Sequence, residues 1–332
     1  MRGSFWHTLS VKMGRTLPAL AHLHDERNAL KQRVVALEQD QANLRGELKQ
    51  YREHFEYMSG RREQGFLVEF DYGYTPKVRD WDSSLGGNFC GRLIAARTES
   101  YSERLASMLA CKDALRTISA DEPVDEREPF WNQTWFPALD AICLTGLLVS
   151  LNPRRYVEVG SGNSTKFARR AVVDHGLRTE IISIDPHPRA VIDSLCDRVI
   201  RKELEQCELD IFSDLGADDL LFIDNSHRSF QNSDVTVFFT EILPLLRSGC
   251  HYGIHDIFLP NDYPASWLSR FYNEQYLLMA YLIGGAGGDQ IVLPVHFVQR
   301  TRELLTILDP IIRDPALGGA PPYGGAFWMV KG

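Results

Sequence analysis

Apolar residues recur every seven positions near the start of the chain. Leu23, Leu30, Leu37, Leu44 and Tyr51 form one series, and Leu20, Val34, Leu48 and Phe55 form a second, three positions earlier in each heptad. Charged and Gln residues fill most other positions, and Arg27 and Gln41 interrupt the second series. Sustained heptads of this kind predict a coiled coil over residues 19–58, behind an N-terminal extension of residues 1–18. A single amphipathic helix packed on its own domain is the alternative. The polarity of the remaining faces favours the intermolecular coil, and so a homo-oligomer.

The pattern is weaker over residues 59–125, which read as a connecting or lid region. VEFDYGYTP (68–76) alternates as a short strand does, Gly86 and Gly87 mark a loop, and Leu105, Met108, Leu109 and Leu115 fall at helical spacing. DEPVDEREP (121–129) is an acidic, Pro-bounded linker. Residues 126–332 then change character. Apolar runs at 155–159, 181–185, 197–201, 219–224 and 249–256 alternate with helical segments that begin near Thr165, Arg189 and Asp234. A helix over residues 138–151, apolar almost throughout, precedes them, and runs at 290–295 and 326–330 are suited to close a sheet. The expected fold class is α/β: a doubly wound, Rossmann-like, mostly parallel sheet with an N-terminal coiled-coil helix.

Composition narrows the function classes. The 332 residues carry 36 Lys and Arg against 44 Asp and Glu, a formal net charge of −8. That balance argues against nucleic-acid partners, which demand clustered bases. Six cysteines without a C-x-x-C pair suit neither a zinc ribbon nor a disulfide framework, and read as reduced, mostly buried thiols. No apolar run reaches membrane-spanning length, and the first residues lack the apolar core of a signal peptide. A cytoplasmic protein with no membrane partner is expected.

The candidate chemistry begins at VEVGSGNST (157–165), where a strand turns into a helix. Gly160 and Gly162 allow a tight turn and close approach of backbone to a ligand, with helix amides facing it. A dinucleotide fingerprint requires a third glycine where Thr165 stands. Glu158 can accept from an ammonium group or fix the loop, and would repel a pyrophosphate. Asp185, at the end of the next strand, is placed to bind ribose hydroxyls. A nucleoside-containing cofactor follows, with S-adenosyl-L-methionine favoured over NAD.

These segments resemble motif I of class I S-adenosylmethionine-dependent methyltransferases and the acidic loop after their second strand. More narrowly, EVGSGNSTK, LFIDNSHRSF and HDIFLPNDYP followed by NEQYLL are similar to a bacterial subgroup related to cephalosporin-hydroxylase-like and macrolide-sugar O-methyltransferases. The resemblance implies a cofactor site of Glu158, Gly160, Ser161, Gly162, Ser164, Asp185 and Asp224. It implies methyl transfer to a hydroxyl of a small-molecule or saccharide acceptor. The coiled coil lies outside the resemblance.

A second constellation lies at the ends of the fourth and fifth strands: Asp224, His227, His255 and Asp256. Adjacent strand ends in an open parallel sheet line one crevice. In one reading Asp224 and Asp256, with His255 or Asn225, bind a divalent metal (Mg or Mn) that lowers the pKa of an acceptor hydroxyl. In the related O-methyltransferases carboxylates do this; His255 replaces one expected acid here and suits a softer metal. In another, His227 is the general base, oriented by Asp224 or Asp256. In the third, Asp224 caps the following helix and the histidines are buried hydrogen-bonding residues.

Trp267, Phe271, Tyr272 and Tyr276 form either a stacking surface for a ring acceptor or core, with Asp262, Arg270, Asn273 and Glu274 near the same mouth. FWNQTWF (130–136) is expected to fold over the cofactor. Two rival classes remain at this level: an NAD(P)-dependent oxidoreductase, and a non-catalytic coiled-coil interaction protein.

Overall fold

The computed structural model describes residues 3–83 and 88–332, with side chains from Leu20 onward. Gly86 and Gly87, read as a loop, lie outside the described residues. The chain divides into two compact units, Met1–Thr75 and Pro76–Gly332.

The first unit is dominated by one helix, α1 (Gly3–Glu63). It begins well before residue 19, so most of the expected N-terminal extension is helical too. The nine apolar heptad side chains are 52–73% exposed. The strand expected at 68–76 is irregular chain, with Val68, Phe70 and Tyr72 exposed. An alternating pattern becomes a strand only when a neighbour completes its hydrogen-bond ladder, and among the described residues none pairs with this segment.

The second unit begins with three helices, α2 (Phe89–Ala95), α3 (Thr98–Met108) and α4 (Lys112–Leu115). Their apolar faces (Ile94, Tyr101, Leu105, Met108 and Leu115) are buried in the same core as the sheet. This part of the expected connecting region is therefore structural, because i, i+4, i+7 apolar spacing gives α3 a face that needs cover. The long apolar helix α5 (Ala138–Leu151) is buried from Ala138 to Leu148, and its far end stops on Asn152 in a left-handed conformation.

Next come β1 (Arg155–Val159), α6 (Asn163–His175), β2 (Glu180–Ile184), β3 (Arg198–Ile200), α7 (Asp210–Ser213) and β4 (Asp219–Ile223). They are followed by α8 (Asp234–Val237), which runs through a π turn into α9 (Leu243–Leu245), then β5 (His251–Ile254) and α10 (Glu274–Ile283). The chain ends with β6 (Gln290–Pro294), α11 (Val295–Arg300) and β7 (Phe327–Val330) among its last elements. All seven expected apolar runs are strands. The helix expected from Arg189 is reduced to a single 3₁₀ turn, Asp193–Leu195. Pro186 and Pro188 remove amide donors ahead of it.

The strands form one seven-stranded sheet in the order β3-β2-β1-β4-β5-β7-β6. β7 runs antiparallel to both neighbours, and the other pairings are parallel. Every residue of β4 is buried, as expected of a strand covered on both faces. The order reverses between β1 and β4, and a crevice opens at their carboxyl ends, where ligands of such sheets bind. Among the described residues, no helix is long and apolar enough to cross a membrane. All six cysteines are free thiols, four of them buried.

Beyond the crevice the sheet is tightly packed. A Cβ on Gly253 of β5 would fall 2.4 Å from the Trp328 ring, which stacks on Phe222 at 5.0 Å. Neither indole nor backbone can give way cheaply. Gly253→Ala is expected to destabilise the unit by about 1–3 kcal/mol, read as a lower urea midpoint at unchanged slope.

Candidate functional site

The β1–α6 turn is built around a contact that leaves no choice of residue. Gly160 has φ +78°, and a Cβ there would lie 1.7 Å from the Asp224 carbonyl oxygen at the end of β4. Gly160 is therefore demanded by the meeting of two strand ends. Gly162 differs. Its φ of −179° is ordinary extended backbone, and a Cβ would meet nothing within 4 Å. Its bareness leaves an open cradle on the cleft instead of relieving strain.

Glu158 sits beneath this turn, fully buried. It accepts from the Tyr156 hydroxyl at 2.8 Å and from the Thr165 hydroxyl, which in turn accepts from Gly162 N–H at 3.0 Å. Burial raises its carboxyl to about 7 even with these donors. Glu158 does not line the cleft, and its hydrogen bonds fix the loop, one of its two expected uses.

Asp185, at the end of β2, accepts from Ser161 N–H at 2.8 Å and from His187 N–H at 2.7 Å. Both carboxylate oxygens are thereby aimed, and each retains a lone pair for a further donor. The Ser161 and Ser183 hydroxyls pair at 2.8 Å beside it. Gly160, Ser161, Gly162, Ser164 and Asp185 all line one open cleft of about 1250 Å³.

The aromatic segment before α5 closes over the same turn. The Gln133 carbonyl oxygen accepts from Asn163 Nδ2 and from the Trp135 and Phe136 amides at 2.8–2.9 Å, tying the segment to the start of α6. Trp135 projects into the cleft with Arg189 over its ring at 4.7 Å.

Asp224, His227, His255 and Asp256 all face the far half of this cleft. His227 and Asp256 adopt φ of +59° and +55°, conformations uncommon outside Gly and held here by their neighbours. His227 Nε2 lies 3.4 Å from Asp224 and 3.3 Å from Asp256, and its Nδ1 lies 2.9 Å from the fully buried Glu274. His255 Nδ1 lies 3.2 Å from Asp224, and its Nε2 lies 3.2 Å from the fully buried Asp140. Each imidazole thus has a buried carboxylate behind it and a cleft carboxylate before it.

The electrostatics follow from that sandwich. Burial would lower both histidines, but hydrogen bonds and the surrounding acids raise them well above their ordinary value. Burial would raise Asp224, yet His255 and His227 hold it below the usual carboxylate range. Asp256 and Glu274 are raised, chiefly by burial. Four carboxylates surround the two rings, and a cation among them would gain from those that are ionised.

Side-chain atoms of Asp224, His227 and Asp256 lie within 4.8 Å of one another, close enough to share one metal ion. His255 Nδ1 stands beside the same two acids, 3.2 Å from Asp224 and 3.6 Å from Asp256. The helix-cap reading of Asp224 fails, because Ser233 caps α8 by accepting from Thr236 N–H. Asp234, at the start of that helix, instead anchors the loop through Ser226 N–H and Oγ.

Trp267 and Tyr272 line the cleft, 5.7 Å apart and edge to face, with Arg270 over the Trp267 ring at 3.9 Å. Phe271 and Tyr276 are partly exposed and do not line it; Tyr276 donates to Asp262 at 2.5 Å. Asp140 and Gln133 were not anticipated as site residues, and Glu274 was placed at the mouth, not behind His227. A lone acid inside the apolar run of α5 was the one signal for Asp140.

Residues 157–257, from β1 to just past β5, match a family model described as a methyltransferase domain. No curated protein matches the chain. Among solved structures, the SAH-bound methyltransferase PaMTH1 of Podospora anserina is 15% identical, covering 72% of this chain and 95% of its own, with a TM-score of 0.38. An O-methyltransferase from Bacillus cereus in complex with SAH is 15% identical, covering 69% and 91%, with a TM-score of 0.32. The fold assignment rests on the strand order, not on these neighbours. Over residues 157–257 the chain is thus similar to methyltransferase domains; the narrower bacterial subgroup stays a resemblance.

The two glycines are expected to separate in experiment. Gly160→Ala should yield little folded protein, whereas Gly162→Ala should keep the wild-type melting temperature within about 2 °C and lose affinity for S-adenosylhomocysteine. Equal loss of melting temperature in both would refute the distinction.

Glu158 makes a pH prediction. Its folded value, about 7, exceeds the 4.5 of an unperturbed carboxyl, so between these values the native state holds a proton that the unfolded chain has released. The stability it contributes is full below 4.5 and is lost as pH rises through 7. Glu158→Gln should gain on wild type by on the order of 3 kcal/mol between about pH 4.5 and about pH 8, measured by urea unfolding. A difference that does not vary with pH would show Glu158 ionised in the fold.

Proposed function

We propose that this protein transfers a methyl group from S-adenosylmethionine to a hydroxyl of a small-molecule or saccharide acceptor, with a divalent cation at the acceptor end. The observation that carries this reading is the juxtaposition of two half-sites in one cleft. The bare turn at Gly160–Gly162, with Asp185 aimed beside it, suits a nucleoside, and the donor set of Asp224, His227 and Asp256 suits a small cation. The open cradle over Gly162 fits close approach of a ligand to backbone.

S-adenosylmethionine, when bound, supplies an activated methyl on a sulfonium, and a divalent cation supplies charge that lowers the pKa of a coordinated hydroxyl. The residues do the rest. Asp185 accepts from ribose hydroxyls, with its orientation set by the Ser161 and His187 amides. Asp224, His227 and Asp256 hold the cation, with Glu274 fixing the His227 ring so that Nε2 faces the cleft. Trp135 and the Gln133 tether cover the nucleoside end and exclude water. Trp267 and Tyr272 offer ring faces to the acceptor. Catalysis is then alignment of the acceptor oxygen with the methyl carbon and removal of one proton.

A second reading is favoured by the Glu274–His227 pair. A buried carboxylate that orients a histidine toward a cleft is also the arrangement of a general base. In that case the ring first gives up the proton that the surrounding acids stabilise, the hydroxyl proton then passes to His227 Nε2, and no cation is required. The rival classes fit less well: an oxidoreductase would leave the acid cluster without a task, and an interaction protein would leave the cleft without one.

Calorimetry and turnover on the same variants test the proposal. Asp185→Ala should weaken S-adenosylhomocysteine binding at least tenfold, a loss of about 1.4 kcal/mol. Asp256→Ala and His227→Ala should bind it normally and lose turnover, about 100-fold or more, on any acceptor found by screening. Dialysis against EDTA, then Mn²⁺ titration, decides between the two readings: recovery with the ion supports the cation, and indifference to chelation supports the base. No affinity for the nucleoside in wild type would sink both.

A further inference from the structure

The charges beside the exposed seam of α1 carry an inference independent of methyl transfer. With Leu20, Arg27, Val34, Gln41, Leu48 and Phe55 at the a positions and Leu23, Leu30, Leu37, Leu44 and Tyr51 at d, the flanking positions are set. Glu26, Arg33, Asp40 and Glu47 stand at g, and Lys31, Glu38, Arg45 and Arg52 stand at e of the heptads that follow. In a parallel, in-register pair each g side chain meets the e side chain five residues on in the other helix. The four meetings are Glu26 with Lys31, Arg33 with Glu38, Asp40 with Arg45, and Glu47 with Arg52. All four are opposite in sign, including the one whose order is reversed.

From this complementarity we propose that α1 pairs with α1 of a second copy of this chain as a parallel, in-register, two-stranded coiled coil. Among the described residues, none of the eight flanking side chains has an ion partner on its own helix. Residues five apart do not share a helix face, so the pattern has no use within one helix. An antiparallel pair fits poorly. It sets g against g and e against e, and the g row holds three acids to one base while the e row holds three bases to one acid.

The seam agrees on register and strand number. Leu occupies d in four of five heptads and Val34 is β-branched at a, the combination that favours two strands. Gln41 at a meets its own copy only when the helices are in register. Arg27 at a turns its guanidinium toward His24 at 2.9 Å, which draws the charge to the edge of the seam and leaves the stem inside. In a parallel pair both second units follow from the same end of the coil.

The test uses the full chain. Sedimentation equilibrium should give twice the 37.8 kDa chain mass. Leu30→Cys, at d and away from the middle of the coil, should form an intermolecular disulfide under mild oxidation, with wild type as the blank. Glu47→Lys should weaken the dimer roughly tenfold, because two symmetric pairs become repulsive, and adding Arg52→Glu should restore it. A single-chain or three-chain mass overturns the proposal. So does a Leu30→Cys variant that stays uncrosslinked, or a double variant no tighter than Glu47→Lys alone.

Discussion

The site depends on how closely β1 and β4 approach at their carboxyl ends. The parallel ladder between them runs through Val159 and Ile223, and the next residues, Gly160 and Asp224, nearly touch through backbone. Because no Cβ fits between them, the nucleoside turn and the first acid of the cluster are one rigid piece. Their spacing is set by hydrogen bonds of the sheet and not by side chains that could repack. A mechanism that needs a donor and an acceptor aligned to within fractions of an ångström has its reference point there.

Around that contact the protein uses buried acids as positioning devices. Glu158 braces the turn from below, Asp140 stands behind His255, and Glu274 stands behind His227. Each is costly to bury and is retained where it orients a group that faces the cleft. Asp140 is tied in further by the Gly325 and Ala326 amides, so α5, the start of β7 and the end of β5 meet at one carboxylate. The carboxylates around the two imidazoles, where ionised, make the far half of the cleft receptive to a cation, while the near half is lined by backbone and one aimed carboxylate.

The helix before this unit obeys different physics. Its apolar seam is exposed, and its charges are ordered for partners five residues on in a second, in-register helix. Residues 89–115 lie between the two regimes. Their spacing is helical in the ordinary globular sense, and they are buried in the core of the second unit instead of bridging to it.

Period and composition determined a good deal by themselves. Seven apolar runs became seven strands, the first turn and Asp185 came to the same crevice, and the heptads became one helix, because a repeat of two, 3.6 or seven residues states which face must be covered. Alternation at 68–76 misled, since among the described residues no partner strand arrives there, and the helix after β2 was lost to two prolines. Only the tertiary structure decided that Glu158 turns under the loop, that His227 stands with His255 beside Asp224 and Asp256, and that Asp140 and Glu274 stand behind the histidines. Those pairings join residues as far apart as 115 positions in the chain, and no local rule of spacing reaches across a fold.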